Sequence, residues 1–432
     1  MSITTTRTAA GGFPGRFSSR LSSLRQSRAG VLAAFAAAAA LLLVAAPALL
    51  PVFSLSLLGK FLCFAIVAVG IGLAWGRGGM LTLGQGVFFG LGAYIMAMHM
   101  KLADAALFGG SGVPDFMALY GTGTVPGWWE PFRSPVVTVL AVVLVPGLVA
   151  LVLGLAIFKR RVKGAYFAIL SQALAAAFAV LLIGQQATTG GSNGLSGFRS
   201  FFGFDLADPA NKRMLYLLAA VVLLVVVAAA RQLMHSRFGE LLVAVRDQEE
   251  RVRFLGYDPA TIKTVVYVLA AVMAGVAGAL FVPLVGIISP ADVGVTPSIA
   301  FLIGVAIGGR STVLGPVLGT LGVAIAQTSL ASSFPSFWVY FQGLLFVLVI
   351  GFLPGGLASL PAVLGRLRRK HDAGPSVPPV PPVPPAAAAP EMPAAPAVPA
   401  PPGMSAPTPV PAVSAAASPL AAVPAASKEL RP

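Results

Sequence analysis

Acidic residues are scarce in this chain: its 432 residues hold 14 Asp and Glu against 29 Lys and Arg, with three His and one Cys. Charged residues make up 10% of the total, far below the roughly 25% of a soluble domain, which excludes a water-soluble globule. The lone cysteine, Cys63, excludes an intrachain disulfide framework and a cysteine-based metal site. His99, His235 and His371 are too dispersed to form a metal cluster. No GxxxxGK(S/T) phosphate loop is present, so the chain does not bind ATP in that manner. None of the fourteen carboxylates falls deep in an apolar stretch, so the mid-membrane Asp, Glu or His of proton- and sodium-coupled carriers is missing. No Ser, His and Asp set or carboxylate pair at membrane depth suggests intramembrane hydrolysis. Active transport by this chain would draw its energy from another one.

Apolar residues, by contrast, are abundant at 57%. A bilayer-spanning helix needs about 20 of them in succession, and such stretches lie near 31–50, 57–75, 79–99, 135–157, 164–184, 214–230, 264–284, 292–309, 313–331 and 337–353. The expected fold is an all-α polytopic membrane protein of about ten transmembrane helices. The stretch at 292–309 is the weakest, because Pro297 interrupts it; if it formed a re-entrant hairpin with the next, eight crossings would remain. Placing residues 1–30 in the cytoplasm puts the segments near 77, 159–163, 231–263, 310 and beyond 353 on the same side, and these hold 23 of the 29 Lys and Arg. The remaining six are Lys60, Lys101, Arg133, Arg199, Lys212 and Arg213. This bias follows the positive-inside rule and puts both termini in the cytoplasm. The net charge of +15 is therefore topological; no basic cluster interleaved with stacking aromatics marks a nucleic-acid surface.

The arginines at 7, 16, 20, 25 and 28 precede an apolar run of about 20 residues, longer than the 7–15 of a cleaved leader, so that run is expected to stay as a span. Residues 374–432 are mostly Ala, Pro, Val and Ser, a composition that favours extended polyproline and cannot bury a core; a disordered tail is expected. Inside the spans, glycines pair four residues apart: Gly72 with Gly76, Gly86 with Gly90, Gly304 with Gly308, and Gly315 with Gly319. That spacing suits close helix packing. The rival reading is a solute path, with Thr82, Gln85, Ser171 and Gln172 as neighbouring hydrogen-bonding groups.

The longest inside loop, 231–263, is not a plain linker. Leu241, Leu242, Val245, Val252 and Leu255 recur at helical spacing, Arg246, Asp247, Glu249, Glu250, Arg251 and Arg253 fill the other faces, and Gly256 is placed to end a helix. Such a helix can lie on the membrane surface or dock a cytosolic protein, and its mixed charge favours docking.

Four ordered segments carry a resemblance: GRGGMLTLGQGVFFGLGAY (Gly76–Tyr94), GGSNGL (Gly190–Leu195), SRFGELLVAVRDQEERVRFLGY (Ser236–Tyr257) and GGRSTVLGPVLG (Gly308–Gly319). Together they resemble the branched-chain amino acid permeases of ABC importers over about residues 57–357. VPDFM (Val113–Met117), PGWW (Pro126–Trp129), the VRFLGY ending at Tyr257 and VPLVGIISP (Val282–Pro290) look like the urea-permease branch of that family. Gln85 stands where relatives commonly have His, Glu240 where they have Arg, and Arg77 where they have a Tyr-type residue.

The resemblance implies a permease subunit in a bacterial inner membrane, importing urea or a closely related small amide, or alternatively leucine, isoleucine or valine. It also implies a second homologous permease, two cytosolic ATPases that bind ATP on the partner chains, and a periplasmic binding protein. Arg246, Asp247, Glu249, Arg251 and Gly256 then fall in the ATPase-coupling loop. Thr82, Gly84, Gln85, Gly86, Ser171, Gln172, Asn193, Gly194 and Gly309 are candidates for the translocation path or for packing. No catalytic residue, metal or cofactor of its own is expected. A passive channel or membrane scaffold, with the charged loop as a surface helix, is the rival of another class.

Overall fold

In a computed structural model, the described residues are 33–333 apart from 109–111, 122, 163 and 311, with Gly30 and a few positions between 340 and 356. The chain divides into Met1–Ala373 and Gly374–Pro432, and everything described below belongs to the first unit. The basic segment before Gly30, most of the expected span at 337–353 and the Pro/Ala-rich tail lie outside the described residues.

The described chain is a helical bundle. Its principal helices are α1 (Ala33–Leu49), α2 (Val52–Ile71), α3 (Gln85–Phe108), the short α4 (Asp115–Tyr120), α5 (Pro135–Lys159), α6 (Ala165–Gly184), α7 (Pro209–Met234), α8 (Arg237–Phe254), α9 (Pro259–Val285), α10 (Val295–Gly308) and α11 (Leu314–Ser333). Among the described residues, seven helical segments are long and apolar enough to cross a membrane, and α1 and the Leu314–Leu330 part of α11 are shorter apolar helices. Their starts are written locally. Ser134, Asp208 and Asp258 each precede a proline at the first helical position, where the missing N–H costs nothing. The two aspartates also accept from Ala210 N at 2.9 Å and Ala260 N at 3.1 Å. Pro297 does not interrupt α10, because it falls in the first turn of that helix.

Two features depart from the hydropathy reading. α2 does not simply stop: it continues through a π-helical turn, Gly72–Arg77. The next helix begins at Gln85, six residues after the expected start at 79, because Gly79 adopts φ +67° and residues 78–84 run outside regular helix. Lys60, counted among the outside charges, lies within α2 with its ammonium 5.7 Å from the Phe64 ring centroid and 5.9 Å from that of Phe281.

In lipid, apolar side chains gain little by leaving their solvent, so close backbone packing carries helix association. α9 is the central element, packing against α2, α3 and α5. A Cβ at Gly92 would run into the Gly275 carbonyl, and one at Gly278 into the Phe89 carbonyl. The eight glycines paired by spacing all lie at such contacts. Gly304 and Gly308 of α10 meet Thr320, Gly315 and Gly319 of α11, Gly72 meets Pro316, Gly76 meets the Arg310 carbonyl, and Gly86 and Gly90 meet Val293. At the end of the bundle away from α8, β1 (Leu195–Ser196) pairs antiparallel with β4 (Ile287–Ile288), and β2 (Ser200–Phe201) with β3 (Phe204–Asp205). Asp104, expected beyond a span, sits in the last turns of α3, where it accepts from Arg199 N, Ser200 N and Ser200 Oγ at 2.6–2.9 Å.

Candidate functional site

Two constellations gather the candidate residues. The first surrounds the N-terminus of α3. Leu83 N donates to Ser171 Oγ at 3.0 Å, and Ser171 Oγ donates in turn to Ala168 O at 2.8 Å, fixing the segment before α3 against α6. A Cβ at Gly84 would run into the Ser171 carbonyl. Gly86 N donates to Ser298 Oγ at 3.0 Å, and that hydroxyl donates to Gly294 O at 2.9 Å. The first turns of α3 and α10 are thereby joined through one serine.

Between them, Gln85 is 1% exposed, and neither its carboxamide oxygen nor its nitrogen has a hydrogen-bond partner. Thr82 Oγ1 is likewise buried and unpartnered. A buried amide with unused donors and acceptors costs about 1–3 kcal/mol and calls for an explanation. Two helix N-termini meeting at an unwound segment are also the arrangement with which discontinuous membrane helices present positive dipole ends to a solute.

Thr82, Gly84, Gln85, Gly86 and Ser171 thus come together, while Gln172 is half-buried one residue further along α6. Asn193, Gly194 and Gly309 do not join them. Gly194, at φ +70°, lies against the Ile288 carbonyl and Ser289 and holds the β1–β4 pairing, and Asn193 is exposed beside it. Gly309, at φ +104°, ends α10 next to Gly315. Ser298 was not among the candidates; as one of two hydroxyl residues, with Thr296, in the otherwise apolar α10, it was the available signal.

The second constellation is α8. Ser236 caps it, accepting from Gly239 N at 3.3 Å, and the helix kinks at Gln248 (φ −146°, ψ 71°). It ends at Phe254, with Gly256 at φ +89° just beyond. Leu242, Val245 and Val252 are buried against the bundle. Leu255, grouped with them by spacing, is instead 72% exposed beyond the last turn.

Arg246 Nη1 donates to the Gly76 carbonyl at 2.8 Å, reaching the π-turn of α2, while its Nε donates to Asp247 Oδ1 at 2.8 Å. That hydrogen bond holds the Asp247 carboxyl below its ordinary range. Glu249 bonds Lys263 Nζ of α9 at 2.8 Å, with both side chains largely shielded. Arg253 reaches Glu250 at 2.8 Å. Arg251 is exposed. A cavity of about 190 Å³ lies between α8 and the Gly78–Leu81 segment, lined also by Phe158 and Phe167. On the other side of the π-turn, the Arg310 guanidinium lies 4.9 Å from the Trp75 ring centroid. One face of α8 therefore grips the bundle, and the rest of it, with Phe254 90% exposed, faces outward.

Residues 53–350 match the family described as "Branched-chain amino acid transport system / permease component". The chain belongs to this permease family. It is 26% identical over 333 residues to the high-affinity branched-chain amino acid transport system permease protein LivM of Escherichia coli (strain K12), covering 72% of this chain and 70% of that protein. Its identity to the LivM protein of Salmonella typhimurium (strain LT2) is also 26%, over 332 residues, 71% of this chain and 70% of the relative. No solved structure matches it. The permease is thus a multi-pass membrane subunit of ABC type, a transport component and not an enzyme. Membership implies ATPase and binding-protein partners in general.

Proposed function

We propose that this permease forms part of the translocation path of an ATP-driven importer for urea or a closely related small amide in a bacterial inner membrane. Its partners are a second homologous permease, two cytosolic ATPases that dock on α8, and a periplasmic binding protein. The charge asymmetry of the loops supports a cytoplasmic placement of α8 and both termini.

The observation that carries the solute reading is Gln85. Its buried, unpartnered carboxamide offers two donors and two acceptor lone pairs, the complement of a urea carbonyl and amino group. The dipole at the start of α3 adds positive potential for the carbonyl oxygen. The groups bonded beside Gln85 are the Ser171 and Ser298 hydroxyls, uncharged partners that suit an uncharged solute. A second reading, import of leucine, isoleucine or valine, is favoured by the names of the LivM relatives.

Replacing Gln85 by Leu tests the site. With no structural partner to lose, Gln85→Leu leaves the complex as stable as before or more so, by up to about 1 kcal/mol. Urea uptake falls by roughly tenfold or more, as expected when a polar solute loses a buried hydrogen-bonding group. Unchanged uptake in that variant would remove Gln85 from the path.

A further inference from the structure

Phe64 of α2, Phe89 of α3, Phe281 of α9 and Phe301 of α10 meet in one cluster. The Phe64 ring centroid lies 5.3–6.3 Å from the other three, and that of Phe89 lies 5.2 Å from Phe281 and 5.7 Å from Phe301. Phe89, Phe281 and Phe301 are 1–3% exposed. Four helices are thereby joined by one aromatic plug. Phe89 stands one turn beyond Gln85 on the same face of α3, which sets the plug beside the unpartnered carboxamide.

Lys60 stands one turn before Phe64, about 12 Å into α2. Its ammonium lies 5.7 Å from the Phe64 centroid and 5.9 Å from that of Phe281, and these ring faces are the contacts it makes among the described residues. Ionisable groups at such depth are costly in lipid and face the bundle interior or a water-filled passage. A lysine snorkelling to the headgroups would extend along lipid-facing side chains, whereas Lys60 lies over the buried ring of Phe281. In the orientation proposed above, α2 runs inward and α3 runs outward. The order from the outside is then Lys60, the plug and Gln85.

We infer that Lys60 is the charge filter of the solute path, set on the outer side of the phenylalanine plug: its fixed positive charge rejects cations of the solute's shape and admits the uncharged solute toward Gln85. A cation held in a low-dielectric passage opposes any other cation and leaves a neutral molecule unhindered. Urea calls for this discrimination, because guanidinium has the same planar shape and nearly the same size and differs by its charge. The ring faces suit the task, since they hold the ammonium in place without neutralising it as a carboxylate would. The inference rests on the path through Gln85 proposed above and adds to it the residue that sorts solutes by charge.

The test uses the complete transporter in proteoliposomes supplied with ATP, with partner chains that carry no cysteine, and follows entry of radiolabelled guanidinium beside that of urea. The parent and Lys60→Arg are expected to exclude guanidinium, and Lys60→Met to admit it roughly tenfold faster or more. Lys60→Cys separates charge from structure. Cys63, the one native cysteine, is fully buried, so aminoethyl methanethiosulfonate reacts at position 60 and restores a positive charge there. Exclusion is expected to be lost in Lys60→Cys and regained on modification, which a merely structural role would not produce. Exclusion that persisted in Lys60→Met or in unmodified Lys60→Cys, with urea uptake intact, would overturn the filter alone. Guanidinium entry through the parent, or no reaction of the reagent at position 60, would overturn it as well. A parent complex that carried no urea would overturn the solute reading and the filter with it.

Discussion

The Arg246 guanidinium donates to the Gly76 carbonyl at 2.8 Å across 170 residues of sequence, tying α8 to the π-helical turn that ends α2. π-turns are locally under-wound and concentrate at functional sites, and this one leads through Gly78 and Gly79 into the segment that ends at Gln85. In the proposed complex, a displacement of α8 by an ATPase partner would have a direct covalent and hydrogen-bonded route to the proposed solute site.

Replacing Arg246 by Ala removes that link while leaving the buried face of α8 intact. Uptake is expected to fall roughly ten- to a hundredfold, the range that losing a charge-assisted hydrogen bond of about 1.5–3 kcal/mol spans, while ATP hydrolysis by the complex persists. The ratio of solute moved to ATP consumed, measured in proteoliposomes, reads this directly. Replacing Arg246 and Asp247 together also separates the classes of function, since a passive pore keeps its flux and an ATP-coupled importer loses it.

Glu249 and Lys263 anchor the far side of α8 to α9 through a largely shielded pair. Lys263→Met takes from Glu249 its short contact and leaves it the 3.5 Å one to Arg253, so the variant is expected to destabilise the complex by about 1–3 kcal/mol. Combining it with Glu249→Gln restores most of that loss. Thermal unfolding of the single and double variants in detergent gives the comparison, and an additive double variant would show that the two groups do not act as a pair.

Close glycine contacts set the helix spacing. Gly278→Ala would drive a Cβ into the Phe89 carbonyl of α3, where both partners are backbone and cannot rotate away, and it is expected to cost about 3 kcal/mol or to block assembly. Gly322→Ala in α11 meets nothing within 4 Å and is expected to be neutral or slightly stabilising. Expression level and melting temperature of the two variants should diverge accordingly.

Much of this was legible in the sequence, and what escaped did so for definite reasons. Long apolar runs place the helices because lipid demands them. The apolar periodicity around Leu242 and Val245 marks α8, whereas α7 and α9 start at Pro209 and Pro259, five residues ahead of the expected spans at 214 and 264. Hydropathy, however, cannot distinguish a helix from an unwound apolar segment, so residues 79–84 read as part of a span although Gly79 takes a positive φ. Nor can spacing reveal that Leu255 lies past the last turn of α8. The meeting of Gly86 with Ser298 and of Arg246 with Gly76 depends on tertiary contacts between segments 212 and 170 residues apart. Glycine spacing showed where helices could approach, and only the fold showed which ones do.

Asp258 gives the account a pH signature. The Thr261 hydroxyl, donating at 2.7 Å, and the Ala260 N–H hold its carboxyl below the ordinary carboxylate range. A depressed native pKa means that the cap's contribution is complete above the unfolded-state value, near 4, and is lost as pH falls through the lower native one. The stability difference between the parent and Asp258→Ala is expected to be about 1 kcal/mol at neutral pH and to shrink under acid conditions, as melting curves across pH would show. A difference that grew on acidification would reverse the assigned sign.

The proposed solute is tested most directly by radiolabelled uptake at low micromolar substrate, in cells carrying the full transporter set with and without this permease. Urea uptake that requires the permease and persists under excess unlabelled leucine is the predicted result. Loss of leucine uptake with urea uptake unaffected would contradict the urea reading.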